Sequence, residues 1–216
     1  MSTTGFASVI LDVDSTLCGI EGIDWLADRR GTAISAAVIA LTDRAMRGEI
    51  ALDAVYGERL TMVRPSRDDV RALAGAYADS LADRAARAVA RLLGDRRRVV
   101  IVSGGIREAI LPLGRLLGVA DADVHAVSVQ FSAAGDYSGF DTASPLVTAT
   151  GKRTLAESFG LPARVLAVGD GATDLATRPA VDAFAAFTGF VTRDPVVRSA
   201  DFVIHSFDQL VELVLA

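Results

Sequence analysis

Short runs of apolar residues, rich in Val, Ile and Leu, recur along this chain of 216 residues, and segments with helical periodicity separate them. Continuous apolar strands that alternate with helices are typical of a parallel sheet whose two faces are both covered. The runs predict strands at residues 8–11, 99–102, 124–129, 165–168, 183–187 and 202–204. We therefore expect an α/β fold with a doubly wound, Rossmann-like parallel sheet at its core.

The first two predicted strands are about ninety residues apart, far more than one crossover helix needs. The interval carries almost no strand pattern and predicts helices at about residues 22–30, 34–47, 52–63 and 67–79, followed by one near residues 83–93. Ser66 and Asp69 have the spacing of a weakened capping box at the start of the fourth helix. We expect residues 17–81 to form an inserted helical cap, and residues 1–16 and 82–216 to form the catalytic core.

A second departure from simple alternation lies at residues 124–140. Alternating residues there, together with a turn at Ala134-Gly135-Asp136, predict a small β-hairpin. The chain shows no internal repeat, low-complexity tract or linker. The helical cap and the hairpin are therefore the two additions that we expect to the sheet.

Composition restricts the partners of the protein. The net charge of −5 and the pI near 5.0 give no basic surface for nucleic acid. No apolar stretch approaches the roughly 20 residues that span a bilayer, and the N-terminus lacks a leader pattern. We expect a cytoplasmic protein without nucleic-acid or membrane partners, whose oligomeric state the sequence leaves open. Cys18, the single cysteine, is expected to be a small packed residue.

Two carboxylates follow the first predicted strand directly. Side chains two residues apart share a face of a strand, so Asp12 and Asp14 are aimed at one place. Like charges at such a distance repel unless a cation or a reacting group lies between them. The pair indicates a metal-assisted or nucleophilic site, although a solvated turn would have the same short pattern.

Polar motifs also follow three other strands. Ser103-Gly104-Gly105 precedes a helix predicted from Ile106, and a hydroxyl with backbone N–H groups at a helix N-terminus favours an anion. Lys152 stands at the start of another helix, where a bound phosphate would offset the unfavourable helix dipole. Asp170 and Asp174 lie in a glycine-bounded loop after the strand at residues 165–168. Ligands of open α/β sheets bind beyond the carboxyl ends of the strands, so the four motifs should converge.

The converging residue types fit phosphoryl transfer. Carboxylates suit Mg²⁺, a lysine and a hydroxyl suit phosphate oxygens, and an acid next to a nucleophilic acid suits a covalent intermediate. The two histidines, His125 and His205, are interpreted as structural. The chain has no G-x-S-x-G elbow and no P-loop, which argues against a serine hydrolase and a P-loop NTPase.

In their order and spacing, these motifs resemble those of the haloacid dehalogenase superfamily, and within it the phosphoserine phosphatase branch. The likeness covers nearly the whole chain, and its residues are Asp12-Val13-Asp14-Ser15-Thr16, Glu21-Gly22-Ile23-Asp24, Ala45-Met46, Glu58-Arg59-Leu60, Ser103-Gly104-Gly105, Tyr137-Ser138-Gly139-Phe140-Asp141, Gly151-Lys152 and Gly169-Asp170-Gly171-Ala172. The resemblance implies a Mg²⁺-dependent phosphomonoester hydrolase that forms an aspartyl-phosphate and converts O-phosphoserine to serine and phosphate.

The resemblance also implies a role for each motif. Asp12 would attack phosphorus, while Asp14 would protonate the leaving alkoxide and then activate water. Mg²⁺ would be bound by the Asp12 carboxylate, the Asp14 backbone carbonyl and Asp170, with Asp174 supporting the site. The residues expected to bind the substrate are Glu21, Met46, Arg59, Ser103, Gly104, Lys152 and Thr173.

Within that set, Ser103 and Lys152 would hold the phosphate. Glu21 would pair with a substrate ammonium and Arg59 with a substrate carboxylate, so the cap would recognise a zwitterion. The chain departs from the usual pattern of the family at Thr173, where Asn is usual, and at Leu52, where Phe is frequent.

Three alternatives remain open at this stage. The same chemistry could act on another small phosphomonoester, or transfer the phosphoryl group to an alcohol, because membership of a superfamily does not fix the substrate. A phospho-aspartate switch of the receiver type also combines acids, a hydroxyl and a lysine on a doubly wound sheet, but it needs no helical cap. A catalytically silent binding protein is the third, although every predicted catalytic position is filled.

Overall fold

The computed structural model describes residues 5–46, 50 and 52–216. Its strands are β1 (Ser8–Leu11), β2 (Arg98–Ile106), β3 (Val124–Val127), β4 (Val129–Phe131), β5 (Tyr137–Phe140), β6 (Val165–Gly169), β7 (Ala183–Phe187) and β8 (Phe202–Ile204). Its helices are α1 (Gly22–Arg29), α2 (Thr32–Met46), α3 (Leu52–Val63), α4 (Arg67–Asp79), α5 (Ala85–Gly94), α6 (Arg107–Leu116), α7 (Gly151–Ser158), α8 (Ala172–Leu175), α9 (Asp194–Ser199) and α10 (Phe207–Leu215). Among these helices, none combines the length and the apolar character that crossing a bilayer requires.

Six of the strands form one parallel sheet in the order β3-β2-β1-β6-β7-β8. Strand β1 lies in the middle and is buried along its whole length, which explains its continuous apolar sequence. The chain proceeds to one side of β1 through β2 and β3, and to the other through β6, β7 and β8. This reversal opens a crevice at the carboxyl end of β1. The doubly wound α/β fold predicted from the sequence is confirmed.

The hairpin is present, but it is shorter than the predicted segment. Strands β4 and β5 pair antiparallel, with Val129 opposite Phe140. Residues 124–127 instead join the main sheet as its edge strand, because the apolar Val124 and Val127 are buried beside β2. The predicted strand at residues 124–129 is therefore divided between the two sheets.

Strand β2 extends further than its apolar run indicated. Ser103-Gly104-Gly105 is predicted to precede a helix that starts at Ile106, but these residues lie within β2 and α6 begins at Arg107. Pairing of Ile106 with Val127 of β3 keeps this end of the strand in the sheet. Ser103 therefore lies in a strand, and the predicted helix start at Ile106 is one residue too early.

Helices α1 to α4 are inserted between β1 and α5. Helix α1 packs against α2, α3 and α4, and α4 also packs against α6 of the sheet layer. The two chain segments that connect the insertion to the rest of the protein lie side by side. The Gly19 N–H donates to the Ser80 carbonyl at 2.9 Å, and the Ala82 N–H donates to the Leu17 carbonyl at 2.8 Å. Cys18 between them is buried, in agreement with its predicted packing role.

Helix α4 begins with a complete capping box. The Asp69 N–H donates to Ser66 Oγ at 3.2 Å, and the Ser66 N–H donates to Asp69 Oδ2 at 2.9 Å. Ser66→Ala removes the acceptor of the Asp69 N–H, so it should lower the free energy of unfolding by about 1 kcal/mol, whereas Ser66→Asn, which keeps an acceptor, should lower it by less. Urea unfolding of the three proteins measures this difference. An alanine variant as stable as the parent chain would contradict the prediction.

Candidate active site

The acidic and basic residues singled out in the sequence meet at the carboxyl ends of β1 and β6. Asp12 follows β1 directly, and its N–H donates to the Val168 carbonyl at 3.1 Å, which fixes its backbone in the sheet. Asp170 follows β6, while Lys152 and Asp174 come from helices α7 and α8. All four side chains are buried.

Lys152 lies between two of these carboxylates. Its Nζ donates to Asp12 Oδ1 at 2.5 Å and to Asp174 Oδ1 at 2.6 Å. Burial by itself lowers the pKa of Lys152, but the two carboxylates outweigh it and raise that pKa above its ordinary value. Burial and the nearby Asp174 charge raise the pKa of Asp12 well above its ordinary value, against the opposing effect of Lys152. Lys152 is therefore a positively charged side chain that is held next to the Asp12 carboxyl.

Three carboxylates are close enough to share one ion. Oxygen atoms of Asp12, Asp170 and Asp174 all lie within 4.8 Å of one another. A close approach of backbone keeps Asp174 in place, because a Cβ atom at Gly169 would lie only 2.1 Å from Asp174 Cγ. Lys152 and the guanidinium that pairs with Asp170 supply two positive charges to three buried carboxylates, so the donor set fits a divalent cation with oxygen ligands. The Asp14 carboxylate, which follows two residues later, is not a member of this cluster.

Asp14 has different surroundings from Asp12. Its Oδ1 accepts hydrogen bonds from the Tyr77 hydroxyl at 2.7 Å and from the Gly22 N–H at 3.1 Å. Burial, reinforced by the charge of Glu21, raises the pKa of Asp14 to about 7, although the two hydrogen bonds oppose the shift. Burial and the charge of Asp14 also raise the pKa of Tyr77, which keeps its phenol protonated as a donor. Near neutral pH, Asp14 can therefore both give and accept a proton.

Arg193 is a site residue that the sequence analysis missed. Its Nε donates to Asp170 Oδ2 at 2.8 Å, and its terminal nitrogen lies 3.6 Å from Glu21 Oε1. It follows β7, so the rule that places ligands beyond strand ends was the available signal. Thr16 was quoted in the first motif without a role, and its hydroxyl donates to Asp170 Oδ1 at 3.4 Å. Tyr77 was missed as well, and no local spacing connects it with Asp14.

Glu21 and Arg59, expected to select the substrate, lie on separate elements of the insertion. Glu21 precedes α1, is half-exposed and accepts a hydrogen bond from Ser15 Oγ at 2.8 Å. Arg59 on α3 pairs with Asp24 of α1 through one terminal nitrogen. Its Nε is buried and has no hydrogen-bond partner within the described residues, and the same holds for the nearby Tyr56 hydroxyl. Buried donors without partners are rare and indicate a missing acceptor.

The other predicted substrate residues are placed as follows. Ser103 is buried, and its Oγ accepts a hydrogen bond from the Gly105 N–H at 2.9 Å. Gly104 and Thr173 are half-buried, and Thr173 is adjacent to Asp174 in α8. Met46 ends α2, and its side chain lies outside the described part of the structure, as does that of Leu52.

A parallel sheet that brings an Asp-x-Asp pair, a buried lysine and two further acids together at its strand ends defines the haloacid dehalogenase class of phosphohydrolases. No family model matches the chain. The phosphoserine phosphatase of Mus musculus is 35% identical over 207 residues, which are 94% of this chain and 91% of the mouse protein. The phosphoserine phosphatase of Halobacterium salinarum is 33% identical over 208 residues, or 94% of each chain.

Among solved structures, a phospho-aspartyl intermediate analogue of phosphoserine phosphatase matches with a TM-score of 0.78 at 21% identity, covering 98% of this chain and 100% of the other. This match shows the similarity of fold, and the identity to the curated relatives shows the relationship in sequence. The chain belongs to the phosphoserine phosphatase family.

Proposed function

We propose that the protein hydrolyses O-phosphoserine to serine and phosphate through an aspartyl-phosphate on Asp12. The observation that carries the proposal is the contrast between the two carboxylates of the first motif. Asp12 is buried against the Lys152 cation, whereas Asp14 has a pKa of about 7 and lies outside the acid cluster. One acid is thus placed to form a covalent bond and the other to move a proton. Relatives named phosphoserine phosphatase support the choice of substrate.

The reaction would proceed in two displacements at phosphorus. An Asp12 oxygen forms a bond to phosphorus while the bond from phosphorus to the serine oxygen breaks. The electron pair of that bond remains on the serine oxygen, which takes the proton of Asp14. Asp14, now a carboxylate, then removes a proton from water as the water oxygen attacks phosphorus. The bond from phosphorus to Asp12 breaks, and its electron pair restores the Asp12 carboxylate.

We propose Mg²⁺ as the cation for the acid cluster. Mg²⁺ prefers oxygen ligands and is usually held by one or two carboxylates together with phosphate oxygens. Asp12, Asp170 and the Asp14 carbonyl would hold it, with Asp174 in support, and when bound it supplies positive charge to the phosphoryl oxygens. Lys152, Ser103 and Gly104 would bind the other phosphate oxygens. Burial of Ser103 and Lys152 supports this role, because water competes little for their donors there.

We further propose that residues 17–81 act as the cap that selects the substrate. Among the described residues, Arg59 Nε and the Tyr56 hydroxyl have no acceptor, and a substrate carboxylate would satisfy them. Glu21 would pair with the substrate ammonium, and Arg193, 3.6 Å away, would hold Glu21 in position. Met46 and Thr173 would complete the surface around the amino acid.

The first test measures phosphate release from L-phosphoserine, phosphothreonine, phosphocholine and a sugar phosphate, each with Mg²⁺ and with a chelator. We expect phosphoserine to be hydrolysed fastest, and removal of the metal to abolish release, because three buried carboxylates would then face the phosphate with only two cations, Lys152 and Arg193. Serine and phosphate should form in equal amounts if water is the acceptor. Faster release from another ester would contradict phosphoserine as the substrate. Release unaffected by the chelator would contradict the requirement for a metal.

A further inference from the structure

The Tyr77 phenol connects the helical insertion to the proton-transferring group of the site. Tyr77 lies near the end of α4 and is fully buried. Its hydroxyl and the Gly22 N–H both donate to the same oxygen of Asp14, Oδ1, at 2.7 and 3.1 Å. Two donors on Oδ1 leave Oδ2 as the oxygen that carries a proton. We propose that Tyr77 is a positioning residue, which orients the Asp14 carboxyl so that Oδ2 faces the leaving oxygen of the substrate.

The packing around the phenol holds it in this position. A Cβ atom at position 22 would lie 2.1 Å from Tyr77 Oη, and one at position 105 would lie 3.1 Å from it. Glycine at both positions therefore makes room for the hydroxyl beside Asp14. The Tyr77 carbonyl is fixed too, because it accepts a hydrogen bond from Cys18 Sγ at 3.2 Å. The tyrosine is thus held both at its backbone and at its hydroxyl. A residue that served only apolar packing would not need the contact at the hydroxyl.

The orientation of Asp14 matters most for esters with a poor leaving group. A serine alkoxide must be protonated as it departs, whereas a p-nitrophenolate leaves without a proton. General acid catalysis contributes about 10² to 10⁴ in rate, and small errors in position remove much of it. This inference rests on the proposed function, because it assumes that Asp14 is the acid.

The test compares Tyr77→Phe with the parent chain on L-phosphoserine and on p-nitrophenyl phosphate. The ratio kcat/KM reports transfer to Asp12 and the departure of the alcohol. We expect kcat/KM for phosphoserine to fall about 10- to 100-fold, and kcat/KM for the aryl ester to fall less than about 3-fold. Turnover itself includes the attack of water on the common aspartyl-phosphate, so kcat should fall for both esters. An equal fall in kcat/KM for both, or none for either, would overturn the proposal.

Two controls separate positioning from loss of structure. Ser8→Ala removes a buried hydroxyl that donates to the Pro162 carbonyl at the amino end of β1, the end opposite the site, and should leave both ratios unchanged. Circular dichroism verifies that both variants are folded. A crystal structure of the parent chain with Tyr77 Oη beyond hydrogen-bond distance of Asp14 would also refute the inference.

Failure of the proposed function is distinguishable from failure of this inference. If the parent chain prefers another alkyl phosphate, the proposed substrate is wrong, and the comparison is made with that ester instead. The inference is then tested by the same comparison of kcat/KM for esters with alkyl and aryl leaving groups. A parent chain that hydrolyses no phosphomonoester refutes both.

Discussion

Asp12→Asn is expected to lower kcat for phosphoserine by about 10⁴-fold or more, because the amide cannot form the covalent bond to phosphorus. The measurement is phosphate release, together with acid quenching of enzyme mixed with ³²P-labelled substrate. The parent chain should retain label on the protein, and the variant should retain none. Turnover close to that of the parent chain, in a folded variant, would show that Asp12 is not the nucleophile.

Stability provides a check on this variant that is independent of activity. Burial and Asp174 raise the pKa of Asp12 above its ordinary value of 3.8. A carboxyl whose pKa is higher in the folded state stabilises the fold below its ordinary pKa, and that contribution is lost as the pH rises. In a chelator, raising the pH from about 4 to about 7 should therefore lower the melting temperature of the parent chain more than that of Asp12→Asn. Asp123→Asn, a buried aspartate paired with Arg98 away from the site, is the matched control and should keep full kcat.

Arg59→Ala should have the largest effect on substrate choice. If the guanidinium binds the substrate carboxylate, its loss removes a buried, charge-assisted contact of about 2–4 kcal/mol, or about 30- to 1,000-fold in kcat/KM for L-phosphoserine. Phosphoethanolamine lacks only that carboxylate, so its kcat/KM should change less than about 3-fold. Steady-state kinetics on the two esters give the comparison.

Arg59 also pairs with Asp24, so a structural effect has to be separated from recognition. Equal losses for the two esters would assign Arg59 to the packing of α1 against α3. Arg59→Lys keeps the charge but not the two parallel donors, so it should restore only part of the preference for phosphoserine. Arg29→Ala, at an exposed position of α1, is the matched control and should leave both esters unaffected.

Much of the fold could be predicted because its signals are local. The bounds of β7 and β8, and those of α3 and α4, agree with the predicted ranges, since both strands appear as unbroken apolar runs and the helices have clear breaks. The end of β2 could not be predicted in this way. Gly104 and Gly105 indicated a turn, and only the pairing of Ile106 with Val127, more than one helix away in sequence, keeps the segment extended.

The residues of the site likewise include some that could be predicted from local patterns and some that could not. Asp12, Asp170 and Lys152 were identifiable because each follows a strand or opens a helix, and the topology of a doubly wound sheet brings those points together. Arg193 follows β7, so its position carried a signal, but neither it nor Tyr77 was identified, because their partners Asp170 and Asp14 are 23 and 63 residues away. No short spacing encodes such contacts. They depend on how α4 and the loop after β7 pack in three dimensions.

The adjacent hydrogen bonds of Gly19 with Ser80 and of Leu17 with Ala82 have a consequence for how such proteins diversify. Because the two ends of the insertion already lie side by side, a segment of another length can be exchanged there with little cost in loop closure to the sheet. Gly22 and Tyr77, however, belong to the exchanged segment, and both donate to Asp14. If the insertion selects the substrate and Tyr77 orients Asp14, as proposed, a new cap changes both properties together.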